Sequence, residues 1–130
     1  MKRYVAEPES GAIRNFFEDG MCAALRLSEA EVASALARRC REGAFPESER
    51  DRALTALRQD FGSLLIVEVT GEVVARSVTL LVRHRLRAAD ALQLSSCLEL
   101  RDRLRLPVLF IACDARLVEA ARFEGLGTGP

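Results

Sequence analysis

Tryptophan is absent, and tyrosine, histidine and lysine occur once each among 130 residues. With one Tyr and no Trp, no platform for stacking nucleic-acid bases is visible. The single histidine, His84, is too little for a zinc site. The four cysteines (Cys22, Cys40, Cys97, Cys113) include no CxxC pair. They read as buried or inert thiols in a reducing cytosol, so a cytoplasmic location is expected. The same lack of histidine argues against a cysteine or serine hydrolase. His84 lies in RHRLR, a run that reads as solvated charge. No apolar run approaches the ~20 residues of a membrane span. The opening MKRYVAEPES has no apolar stretch after its basic residues and does not read as a secretory signal.

Net charge is missing too, since Lys+Arg and Asp+Glu are 19 each. A strongly basic nucleic-acid arm is thereby excluded, and any such binding must come from local patches. All the cations except Lys2 are arginines, which suit bidentate contacts to phosphate or carboxylate. What is present is apolar content, 49%, in a length typical of one domain. Neither repeat, linker nor composition shift marks a second domain, so a single domain over 1–130 is expected.

Apolar spacing predicts helices over 10–19, 28–41, 48–60, 70–86 and 88–103, and another led by Asp114 and stopped by Gly125. Ser28 and Glu31 fit a capping box for the second of these. Strands are predicted at 21–27, 64–69 and 108–113, the last (VLFIAC) as fully buried, and the tail GLGTGP supplies at most a short edge strand. Strands alternating with helices imply an α/β fold: a small parallel sheet flanked by helices on both faces, a three-layer α/β/α domain. Ligands of such sheets bind at the carboxyl ends of the strands.

Three acids fall near those ends. Glu31 lies one turn into a helix after a strand, Asp90 opens the helix before VLFIAC, and Asp114 directly follows it. Each also has an ordinary structural role. Glu31 can complete the capping box, Asp90 can favour the helix dipole, and Asp114 can cap the next helix. Asp90 is the acid for which that role does not suffice. Its neighbours Ala88, Ala89, Ala91 and Leu92 are small or apolar, and a half-buried carboxylate without a partner is costly. Three converging carboxylates repel one another unless a cation sits among them. Mg2+ or Mn2+ suits such oxygen ligands, and a metal-bound water can attack a phosphodiester.

The segments KRYVAEPES, RLSEAEVASALARR, LRAADALQLSSCLEL and IACDARLVEAARFEGL occur in that order. Together, over residues 2–126, the chain resembles the VapC-type toxins of bacterial toxin–antitoxin pairs, which are PIN-domain ribonucleases. The blocks around Asp90 and Asp114 are the most specific. The resemblance implies a PIN-like fold and an acidic site that binds Mg2+ or Mn2+ for RNA hydrolysis. Residue by residue, it assigns Glu31, Asp90 and Asp114 to catalysis and metal binding. Cys113 stands where the family often has Thr or Ser. The family opens with a core strand ending in an Asp, and this sequence begins inside the helix that follows. The expectation is a native start upstream of Met1. The 130-residue form is then expected to fold poorly or bind metal weakly, unless a partner supplies a strand.

Two arginine triplets lie close to the acids in sequence: Arg83, Arg85 and Arg87 before Asp90, and Arg38, Arg39 and Arg41 after Glu31. Arg38, Arg85 and Arg87 are the candidate RNA contacts. Arg101, Arg103 and Arg105 are given no role. The resemblance further implies a cognate antitoxin and a homodimer, with the helices of 10–60 offering apolar faces for either, and no membrane. The competing reading is a truncated or degenerate, non-catalytic PIN-like module that acts by binding protein. A metal-dependent phosphatase or DNA nuclease using the same acids is the third.

Overall fold

A computed structural model describes residues 23–105, 108–112 and 114–128. The chain divides into two compact units, one ending at Ile66 and the other beginning at Val67. The helix expected over 10–19 lies outside the described residues.

In the first unit, β1 (Ala23–Leu25) leads directly into α1 (Arg26–Arg41). After it come α2 (Glu47–Gly62) and β2 (Leu65–Val67), a strand that ends on the first residue of the second unit, and β1 and β2 are neighbours in a two-stranded sheet. Val32 and Leu36 on α1 and Leu57 and Phe61 on α2 form the core, each pair at i, i+4 on one helix face. Each side chain so buried contributes about 1.5–3 kcal/mol. The capping box is not formed. The helix starts two residues before Ser28, its N-cap is Leu25 with no side-chain cap, and Ser28 is buried in the first turn. The strand is correspondingly shorter than 21–27. Once Leu25 is buried, the chain turns straight into helix.

The second unit runs α3 (Gly71–Arg83), α4 (Ala88–Leu104), β3 (Leu109–Phe110), α5 (Ala115–Phe123) and β4 (Gly127–Thr128). Thr70 caps α3, its hydroxyl accepting from the Val73 amide at 3.2 Å. Leu80, Ala91, Leu94, Leu98, Phe110, Leu117, Ala120, Ala121 and Leu126 make one core. Where α4 meets α3, the fully buried Ser95 hydroxyl donates to the Val73 carbonyl at 2.7 Å, so the polar group is satisfied.

The strand expected over 108–113 is reduced to two residues, and only one is buried: Phe110 is 7% exposed, Leu109 54%. A continuous apolar run promised burial on both faces, but β3 covers one. It pairs in parallel with β4, Leu109 opposite Gly127 and Phe110 opposite Thr128. A Cβ at Gly127 would lie 3.0 Å from Leu109 Cδ2, a tight approach to which the exposed Leu109 side chain would have to yield. Gly125, at φ +91°, supplies the left-handed turn that sends the chain from α5 into β4. Five helices and short strands make the architecture α/β. Among the described residues the strands form two separate pairs rather than one continuous sheet.

Candidate active site

Two helix N-termini meet one cleft in the second unit. Arg87 is the N-cap of α4, and Asp90 lies in that helix's first turn. Asp114 is the N-cap of α5. The cleft, about 660 Å³, is lined by Arg85, Leu86, Arg87, Asp90, Asp114, Ala115 and Arg116. Both carboxylates therefore sit where the helix dipole favours negative charge.

The ordinary role of Asp114 is real. Its Oδ1 accepts from the Arg116 amide at 2.8 Å and the Leu117 amide at 3.3 Å. Both bonds use the same oxygen, so among the described residues Oδ2 keeps its acceptor capacity. Capping and ligation are compatible in one side chain. Asp90 is half-buried, and among the described residues its carboxylate has no hydrogen bond or ion pair. A half-buried charge in that condition calls for a cation.

Three guanidinium groups, of Arg85, Arg87 and Arg116, accompany the two carboxylates. None makes an ion pair among the described residues. The placement of Arg85 and Arg87 follows from the backbone. The α3–α4 connection is extended, with ψ 155° at His84 and 159° at Arg87. Side chains of an extended segment alternate. His84 and Leu86 turn inward, and Arg85 and Arg87 are exposed. Arg116 was not among the sequence candidates. The available signal was its position two residues after an N-cap Asp, which puts it on the same helix end.

Arg83, the first member of that triplet, belongs elsewhere. Its Nη1 donates to both Glu124 carboxylate oxygens, at 2.8 and 2.6 Å. His84 is no solvated charge either: its side chain is 14% exposed, and Nε2 lies 2.8 Å from Glu124 Oε2. Arg101 is also engaged, with Nη1 donating to the Glu124 carbonyl at 3.2 Å.

Glu31 and Arg38 lie in the first unit. With Ala30, Ser34 and Ala35 they line a depression along one face of α1, as the spacing 31, 34/35, 38 requires. Among the described residues no group of three or more His, Cys, Asp or Glu side chains is placed to hold a metal ion. The donors that do share a surface, Asp90 and Asp114, are hard carboxylate oxygens. Mg2+ accepts one or two such ligands and completes its shell with water and substrate phosphate, so this set fits a hard divalent ion.

Cys40 and Cys97 are free thiols, and burial pushes the Cys97 thiol up to about 11, away from the reactive thiolate form. Cys22 and Cys113 lie outside the described residues. Among the described residues no helix is long and apolar enough to cross a membrane. A comparison with curated proteins found no match. The PIN domain family model matches residues 4–123. That span takes in Glu31, Asp90, Asp114 and every arginine of the cleft, and by it the chain belongs to the PIN domain family.

Proposed function

We propose that this chain is a divalent-metal-dependent endoribonuclease, the toxin of a VapC-type toxin–antitoxin pair. PIN domains are typically nucleases. The observation that carries the reading is the cleft in which Asp90 and Asp114 stand among Arg85, Arg87 and Arg116. It combines oxygen donors for a cation with planar cationic groups for phosphate.

Asp90 and Asp114 would hold Mg2+ or Mn2+, and the sequence resemblance gives Glu31 a metal-binding role as well. A bound ion of this kind supplies an activated water and stabilises charge on the phosphoryl oxygens. The arginines bind the flanking phosphates and hold the RNA backbone against the carboxylates. Helix N-termini on two sides add donors and positive potential to the same cleft. The toxin assignment, the protein antitoxin and the homodimer rest on the sequence resemblance around Asp90 and Asp114.

The test is RNA cleavage by the purified protein with Mg2+ or Mn2+, with EDTA, and as the Asp90→Asn variant. Asn keeps the shape of the side chain and removes the charge. Cleavage should require metal and fall about a hundredfold or more in the variant, since even outer-shell partners of a metal are worth 10–100-fold. Cleavage that persists in EDTA or in Asp90→Asn would refute the role given to the carboxylate. If the wild type cuts no RNA but captures a protein partner, the non-catalytic module holds instead. Growth arrest on expression, relieved by Asp90→Asn and by the product of an adjacent gene, is the expected sign of a toxin.

A further inference from the structure

The connection that carries Arg85 and Arg87 has little backbone support of its own. Among the described residues, its one internal backbone hydrogen bond runs from the Leu86 amide to the His84 carbonyl, at 3.1 Å. At its ends, the His84 amide donates to Leu80 and the Ala91 amide to Arg87, at 2.8 and 3.0 Å. The Arg85 and Arg87 amides have no backbone partner among the described residues. Side chains must therefore fix this segment. Leu86 packs against the core, and His84 is held by Glu124.

Glu124 is well placed for that task. It is the C-cap of α5, the helix whose N-cap is Asp114. Nine residues of helix span about 13 Å, a rigid strut between the two. The carboxylate is 13% exposed and takes three hydrogen bonds, two from Arg83 Nη1 and one with His84 Nε2. A carboxylate only accepts, so Nε2 carries the proton. The Phe123 ring meets His84 edge-on, with centroids 5.3 Å apart. Arg101 Nη1 holds the Glu124 carbonyl independently of its side chain. The strut is thus tied to the end of α3 just before Arg85, while its other end presents Asp114 to the cleft.

We infer that His84 and Glu124 are positioning residues, a clamp that sets Arg85 and Arg87 in register with Asp114 for phosphate binding. The inference rests on the nuclease reading of the cleft. Neither residue lines the cleft itself. Their effect is to hold a short extended segment in the one conformation that turns both guanidiniums the same way. Rotamer and backbone freedom removed in advance is not lost again when RNA binds.

The test uses the full chain as Glu124→Ala, Glu124→Gln and His84→Ala. Gln keeps a carbonyl acceptor for the His84 Nε2 proton and guards against simple misfolding. In the RNA-free protein, NMR order parameters of the Arg85, Leu86 and Arg87 amides should fall in both alanine variants and recover in Glu124→Gln. Amides within α4 and α5 should not change. On RNA, KM should rise about tenfold in the alanine variants, the weight of 1.4 kcal/mol, with kcat retained. The slope of log KM against log salt should flatten by about one, as for one lost phosphate contact. Unchanged order parameters and KM, with only a lowered melting temperature, would overturn the clamp. A wild type that neither binds nor cuts RNA would refute the nuclease reading alone, and the order parameters would still decide the clamp.

Discussion

Asp114 offers a substitution series that separates its two roles. As a cap it gives Oδ1 to the Arg116 and Leu117 amides at 2.8 and 3.3 Å, and α5 carries Leu117, Ala120 and Ala121 into the core. Replacing such a cap by Ala costs about 0.5–2 kcal/mol. Asn caps about as well as Asp, so Asp114→Asn loses only the dipole interaction, about 0.3–1 kcal/mol at an exposed site. As a ligand, by contrast, Asn is no substitute, because the charge that draws the cation is gone. Asp114→Ala should therefore melt about 4 °C below the wild type, taking a loss of about 1 kcal/mol in a chain of this size. Asp114→Asn should melt close to wild type, yet both variants should lose RNA cleavage and bind Mn2+ at least tenfold more weakly. Paired thermal melts, cleavage time courses and Mn2+ titration provide the readouts. Full cleavage by Asp114→Asn would refute the ligand role, and an alanine variant as stable as wild type would refute the cap.

Three further outcomes follow from the packing and the titrating groups. Leu94 is fully buried in the second unit, so Leu94→Ala should cost about 3–5 kcal/mol in denaturant melts, and a loss under 1 kcal/mol would mean the core there is not close-packed. Burial alone would push the Glu124 carboxyl up, but hydrogen bonds from His84 and Arg83 outweigh it and hold it below the usual range. A depressed carboxylate stabilises above its unfolded value, about 4.3, and that stability is lost as pH falls through the folded value. Glu124→Gln should therefore flatten the acid limb of stability against pH, and an unchanged limb would count against the ion pairs. The Cys97 thiol, raised to about 11 by burial, stays protonated in the fold, while an unfolded thiol ionises near pH 8.5. Stability should decline as pH climbs through that window, and iodoacetamide at pH 8 should label Cys97 far more slowly in the native protein than after unfolding. Native Cys97 labelling as fast as in the unfolded chain, mapped by mass spectrometry, would contradict the raised thiol pKa.

The helices were readable because their hydrogen bonds and apolar faces are local. The spacing predicted 88–103, and α4 spans Ala88–Leu104. The helix expected over 70–86 ends earlier, at Arg83, because His84 is drawn to Glu124 and adopts extended backbone. Strands were overestimated: 64–69 shortens to Leu65–Val67, and 108–113 to Leu109–Phe110. A strand lasts only as long as its partner, and the partner of β3 is the two-residue β4, far along the chain. The capping box failed because α1 begins two residues early, which nothing in SEAE signals.

Sequence alone determined the α/β alternation, the acids at helix N-termini, and the candidacy of Arg85 and Arg87. Each depends on residues within a turn or two of one another. Tertiary structure decided which charges are available. RHRLR reads as one basic run, yet Glu124, forty residues on, binds Arg83 and His84 while Arg85 and Arg87 face the cleft. It also placed Arg116 in the same cleft as Asp90 and left Asp90 without a partner among the described residues. Long-range ion pairs and the meeting of two helix ends depend on chain reversal through the core, which no local pattern encodes.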